Sequence, residues 1–415
     1  MIIYYLCDSK KQCIVQSVGV IIKLIFRLLF YILITIIILI IIQYLTCPVY
    51  NFRAGHPFSG DKIYNPYEGM DSNEWRKANF QIQSHAWGGI TSGSQNSNEL
   101  IFKTYKSLNY DIIATSDYQK INRYNENEPF YIPVYEHGYG IRKNHHVLVG
   151  AKSVLWRDYP VFQTLSNKQH ILNLLRNENE LVYIAHPLLR NGYAASDMKY
   201  LTNYDGIEVL NNYRFSIAHW DTALSNGNYV TILGDDDAHD IFNPDEIGHH
   251  CTFINSPTTN KNDIISALKK GRSFGARIYR PQGESFEDKI KRISVLPVIK
   301  TVNLTNDTIT VKTDSIAKEI RFTGQNAEIK KVLKNCNSAN YTFKPDDTYI
   351  RIEIEFPDGS AYFLNPICRY SGEAPSRIPI PTVNIYKTWL LRVLGFSTIL
   401  FIIVNLILFK RRKAK

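Results

Sequence analysis

The sequence predicts an α/β domain held between two membrane-spanning helices, and three patterns carry that expectation. Long apolar runs, the first of them uncharged, lie near both ends of the 415-residue chain. Between residues 80 and 275, short apolar runs alternate with amphipathic stretches of helical period. That is the pattern of a parallel sheet with crossover helices, open or closed into a barrel. Acidic and imidazole side chains recur where the apolar runs stop, and in such a sheet the strand ends converge on one mouth.

The first apolar run, Leu28–Leu45, is uncharged, with Gln43 its one strongly polar side chain. It can cross about 30 Å of hydrocarbon at about 1.5 Å per residue. It is longer than a signal-peptide core, and no small-residue cleavage site follows it. The second, Trp389–Phe409, carries Arg392 near its start and runs into a basic tail, Lys410 to Lys413. Lys10, Lys11, Lys23 and Arg27 flank the first run on its N-terminal side. The positive-inside rule therefore puts both termini in the cytoplasm and the main domain outside, a two-pass membrane protein. The net charge of +10 resides entirely in these end segments, which leaves residues 50–386 neutral. No nucleic-acid-binding surface is indicated.

The expected organisation runs in order. Residues 1–49 are a cytoplasmic N-terminus and membrane helix, and 50–79 a polar linker rich in Gly, Pro, Asn and Tyr. An α/β domain occupies 80–290 and a small β-sandwich-like module 291–375. A short linker, 376–388, leads to the second span and tail, 389–415. Within the α/β domain, Ser97 should cap a helix with Leu100, Ile101, Thr104, Tyr105 and Leu108 on one side. Ser166 to Gln169 reads as a capping box opening a second helix. A third helix around Phe215–Ser225 should end at Gly227, and a fourth, Asp263–Lys270, at Gly271. In the module, Thr308–Thr313 and Tyr349–Phe356 alternate strictly, and Asp358-Gly359 marks a hairpin turn. The six cysteines follow no metal spacing, with Cys7, Cys13 and Cys47 in or beside the first span. Cys251, Cys336 and Cys368 lie in the outside portion, where Cys336–Cys368 is one possible disulfide.

The candidate site residues sit at the strand ends: His85, Asp117, Glu136, His186, Asp237 and His239. His146 opens its predicted strand and is the exception. The densest cluster is Asp235-Asp236-Asp237-Ala238-His239, whose like charges need a positive partner, of which a divalent metal is one. A solvated acidic turn is the plain alternative. His170 and His219 fall inside predicted helices and are read as ordinary packing or surface residues.

The segments Gln83-Ser84-His85, Thr115-Ser116-Asp117-Tyr118, Tyr135-Glu136, Asn144-His145-His146, Ala185-His186-Pro187 and Asp237-Ala238-His239 together resemble the polymerase and histidinol phosphatase (PHP) family. The resemblance implies a distorted seven-stranded (βα) TIM-like barrel and a hydrolase using up to three divalent ions, zinc, manganese or iron. It implies that His85, Glu136 and Asp237 hold a first ion. Glu136, His146 and His186 would hold a second, and His239 a third. Glu136, Asp237 and His239 would then be the catalytic residues. The sequence departs from the family where Gln83 and Tyr118 replace histidines, and where Trp87 to Gly93 replaces a Ser-Asp-Gly. Gln83, Asp117 and Tyr118 are thus altered ligand positions, and two ions are expected. Two functions follow as alternatives. One is a membrane-tethered hydrolase acting on a phosphoester or other ester, of a small molecule or polymer, through metal-activated water. The other is a catalytically degenerate domain with a binding or scaffold role. Arg142 and Lys143, beside His146, are candidates for binding an anionic substrate.

Overall fold

The computed structural model describes the backbone of residues 2–90 and 95–413, and side chains from Ile21 onward except 406, 410 and 413. The Cys7, Cys13, Lys10 and Lys11 side chains, Thr91 to Gly93 of the replaced motif, and Lys410 and Lys413 of the basic tail lie outside what is described. The described chain forms two compact units, residues 1–49 with 384–415, and residues 50–383.

The terminal unit consists of helices Ile2–Thr46 and Ile385–Lys413. Within them Ile21–Thr46 and Ile385–Phe409 are long and apolar enough to cross a membrane. The two helices pack closely: a Cβ at Gly395 would meet the Leu45 side chain. Arg392, the one charge that weakens the second span, donates from Nη2 to the Thr46 carbonyl at 3.0 Å. A guanidinium in an apolar span is tolerated when it finds such an acceptor.

The larger unit is built on two sheets. One has five strands in chain order: Val134–His137, His146–Ala151, Asn179–Ile184, Gly206–Asn211 and Thr231–Asp235. The first three are antiparallel neighbours and the last three parallel. This corrects the expectation of a wholly parallel sheet, and it explains the exception noted above. His146 opens a strand that runs back from the mouth, so that strand's beginning, not its end, lies beside the Glu136 strand end, with His137 paired to His146.

The other sheet begins with Ile112–Ile113 and Trp75–Asn79, then crosses to His250–Asn255 and Ser273–Arg277. It continues through Ala361–Leu364 and Tyr349–Glu355 to Thr308–Thr323 and Ile299–Thr305. Two isolated parallel bridges, Ile82 with Ala238 and Tyr118 with Glu136, reach from this side to the five-stranded sheet. The β-rich C-terminal segment thus shares a sheet with the α/β part, through Ser273–Arg277 against Ala361–Leu364. Nor is 50–79 wholly irregular, because Lys62–Tyr64 pairs with Ile367–Tyr370 and Trp75–Asn79 with His250–Asn255.

Helix ends fall where the sequence places them when a cap is chemically explicit. Helix Asn98–Ser107 starts with Ser97 accepting from Leu100 N–H, and helix Lys261–Lys270 ends at Gly271 with φ 73°. The second helix, Leu165–Glu178, starts two residues earlier than expected: Thr164 rather than Ser166 caps it, reciprocally with Asn167. Cys336 and Cys368 are both free thiols. Cys336 lies opposite Ala317, whereas Cys368 is buried between Tyr349 and Tyr64, so pairing puts them on different strand neighbours.

Candidate metal centre

The Gly234–Asp240 segment breaks its like-charge cluster apart by sending each carboxylate a different way. Asp235 accepts the Phe80 N–H at 2.7 Å. Asp236 collects the N–H groups of Gly248, His249 and His250 together with the Tyr105 hydroxyl, which anchors the 248–250 turn. Asp237 instead meets Asn211 and the charges of His239, Glu136 and His186, and it does so with a φ of 50°. Holding a non-glycine residue there costs about 1–3 kcal/mol, which the surrounding structure must over-determine.

Three buried donors converge across the strand ends: Glu136, His145 and His186, one ligand atom of each within 4.8 Å of the others. Glu136 is fully buried. Its Oε1 accepts from His145 Nδ1 at 2.5 Å and lies 3.4 Å from His186 Nε2. Its Oε2 accepts from Gln83 Nε2 at 2.8 Å. That same amide nitrogen donates to the Ser116 carbonyl at 2.9 Å. Facing two acceptors, this end of Gln83 must be the NH2, so the amide orientation is fixed by its surroundings. Burial alone would raise the Glu136 pKa, but the charge and hydrogen bond of His145, with help from His186, hold it low as a carboxylate. Burial keeps His145 below its ordinary value, against the pull of Glu136. His186 is also penalised by burial, yet its hydrogen bond to Glu136 and the charge of Asp237 leave it raised.

Two features mark strain and incompleteness here. His186 has φ 27°, its N–H donating to Glu208 Oε2 at 2.7 Å. Among the described residues, His186 Nδ1 and Asp237 Oδ1 are buried without a hydrogen-bond partner. Asp237 Oδ1 has His239 Nδ1 at 3.7 Å, and His219, His249 and His250 share the unbonded Nδ1, so it is the Glu–His–His cluster that fits a site completed by an ion. A mixed carboxylate and imidazole set suits a divalent metal ion.

The site residues expected from sequence divide into those brought together and those not. Glu136 and His186 belong to the cluster, Asp237 lies close enough for its charge to act on both, and Gln83 touches Glu136 as a donor. His146 is not: its Nδ1 meets His137 Nδ1 at 3.3 Å and its Nε2 meets the Tyr193 hydroxyl at 2.7 Å. Its neighbour His145 takes the inward position, because successive residues entering a strand point to opposite faces. His85 is solvent-exposed. Ala86 N–H folds back on the Ser84 carbonyl at 2.7 Å, a tight turn about His85 that swings it away from the face Gln83 occupies. Asp117 is buried and spent on structure, accepting from Ser84 N–H, Ser84 Oγ and Asn122. His239 stands at the rim, its Nδ1 donating to the Asp237 carbonyl at 2.8 Å. Tyr118 lies edge-on to His145 at 5.4 Å, and burial with the charges of Glu136 and Asp237 keeps its phenol protonated.

Glu208 and Asn211 escaped the sequence reading. Asn211 donates to both Glu208 Oε1 and Asp237 Oδ2, tying the two carboxylates together behind His186. Glu208 lies in the middle of the strand Gly206–Asn211, where the strand-end criterion does not look.

Over this centre opens a cleft of about 780 Å³. Trp87, Trp156, Tyr118 and Tyr139 wall it, and Lys143 and His239 supply polar groups. Arg142 is exposed and does not line it.

No family model matches the chain, and no curated protein does. Among solved structures it is similar to a two-domain protein containing a predicted PHP-like metal-dependent phosphoesterase from Bacteroides vulgatus. The identity is 14%, over 74% of this chain and 99% of that one, with a TM-score of 0.36. A superposition that loose does not define a common fold.

Proposed function

We propose that this chain is a membrane-tethered, metal-dependent hydrolase of ester or phosphoester bonds, with Glu136, His145 and His186 holding one divalent ion. The observation that carries the reading is the buried Glu–His–His cluster, with the buried Asp237 carboxylate beside it. The chemistry a bound divalent ion supplies is Lewis-acid polarisation of the ester and acidification of the attacking water.

The chain's own residues support one ion better than the two expected from sequence. Gln83 occupies Glu136 Oε2 with an N–H, which leaves Oε1 as the oxygen facing His145 and His186. His85, the other imidazole expected at a first ion, faces solvent. Asp237, buried and partly satisfied by Asn211, would orient the attacking water beside the ion. His239 has Nδ1–H fixed on a carbonyl, so Nε2 is the atom that can take a proton from the attacking water and hand it to the leaving oxygen. In the balanced step, the oxygen of water bonds to phosphorus or acyl carbon, the ester oxygen departs, and that oxygen takes up the proton. The tether rests on the two apolar helices and their basic flanks, with both termini proposed to be cytoplasmic.

The test is turnover of phosphomonoester, phosphodiester and carboxylester substrates by full-length protein, before and after chelation. Hydrolysis that chelation removes and Glu136→Gln lacks is expected. Metal bound with no turnover of any class would favour the binding or scaffold role instead.

A further inference from the structure

The walls of the cleft specify more than a metal site needs. A volume of about 780 Å³ falls among pockets that enclose a whole organic ligand rather than a bare phosphate. Its walls leave Trp156 60% and Trp87 46% exposed, with their rings edge-to-face at 6.2 Å. Exposed apolar surface concentrated beside polar groups marks a binding site, since folding alone does not favour leaving it wet.

The wall is also held under tension. Trp87 sits at φ 52°, a region bulky residues avoid, with its Nε1–H donating to the Tyr118 carbonyl at 2.8 Å. On the other side the Tyr139 hydroxyl donates to the Trp156 carbonyl at 3.0 Å, and Tyr139 N–H to Asp158 at 2.9 Å. Lys143, likewise at a positive φ of 59°, holds its ammonium 5.5 Å from the Tyr118 ring centroid. Among the described residues it pairs with no carboxylate. An unneutralised cation beside an aromatic wall, above a Glu–His–His floor, is the arrangement for an anion that carries a flat ring.

We infer that the cleft selects an anionic ester whose leaving group bears a ring with a flat apolar face, the ring packing on Trp156 and Trp87 and the anion meeting Lys143. This rests on the hydrolase reading for the word ester, but the binding preference stands or falls without turnover. Aryl groups and the C–H faces of sugars share the required chemistry.

Full-length protein in lipid nanodiscs is titrated with phenylphosphonate, glucose 1-phosphate and methylphosphonate, read by tryptophan fluorescence and calorimetry. At least one ring-bearing probe should bind roughly tenfold or more tighter than methylphosphonate. Trp156→Ala should erase that preference and leave methylphosphonate affinity unchanged, while Trp156→Phe restores most of it. Lys143→Gln should weaken all three alike. The phenyl and glucosyl arms separate an aryl from a sugar substrate. Equal affinity for all three probes, no binding of any, or a preference that survives Trp156→Ala would overturn the inference. Ring preference without hydrolysis of any ester would instead count against the hydrolase reading and leave the cleft assignment intact.

Discussion

Glu136→Gln separates metal binding from folding, because the two effects differ in size and can be worked from the same contacts. Glu136 is fully buried and receives His145 Nδ1–H and Gln83 Nε2–H. A glutamine of the same shape can keep its oxygen toward Gln83 and turn its NH2 to His145. A neutral imidazole can then switch tautomer and accept at Nδ1. The metal-free fold thus loses charge assistance but leaves no group unpaired, a cost of about 1–2 kcal/mol. The ion fares worse, since Glu136 is the only anion among its three donors. Removing one partner of a buried charge pair costs about 3–5 kcal/mol, which is roughly 200- to 4,000-fold in Kd. Competition with a chromophoric chelator measures the affinity, and thermal unfolding in excess chelator measures the fold. Unchanged affinity, or a metal-free variant that no longer unfolds cooperatively, would refute the reasoning.

Other outcomes follow from neighbouring contacts. His145→Gln should lose metal about as severely as Glu136→Gln, whereas His146→Gln should keep it and lower only the melting temperature; elemental analysis of both variants decides between the two histidines. Burial, helped at His249 by Lys289 and at His250 by His249, pushes both down to about 3. Their folded pKa lies below the unfolded value of about 6.5, so the stability they contribute is complete above pH 6.5 and lost as pH falls toward 3. Urea unfolding across that window should weaken by several kcal/mol in the native protein and less steeply in His249→Gln. Arg351 clasps Asp221 through Nε and Nη2 at 2.6 and 3.0 Å, both side chains being buried. Arg351→Met should cost about 3–5 kcal/mol by stranding Asp221, and adding Asp221→Asn should recover most of it in the same assay. A reporter active only outside the cytoplasm, placed in the exposed Asn306-Asp307 hairpin turn, should be active; activity of a cytoplasm-only reporter there would reverse the topology.

What could be read in advance divides along a physical line. Ser97 and Gly271 signal helix ends through local chemistry, and the structure uses both. The strand-end placement of Glu136, His186 and Asp237 was legible because an apolar run that stops on a charge has few other uses. His145 against His146 was not, since an adjacent pair entering a strand presents either member inward. Only the register of the Val134–His137 pairing settles it. The tight turn about His85 depends on a backbone contact two residues apart, which no residue type in that stretch announces. The aromatic cleft was hidden for another reason. Trp87, Tyr118, Tyr139 and Trp156 are spread along the chain and meet only once the loops above the sheet are folded.

The most direct test is the metal content of full-length protein purified in detergent, loaded with zinc or manganese and stripped of loose ions. The account predicts one ion per chain in the native protein and none in Glu136→Gln. Two or three tightly held ions would contradict the single-ion centre, and none in the native protein would contradict the metal site altogether.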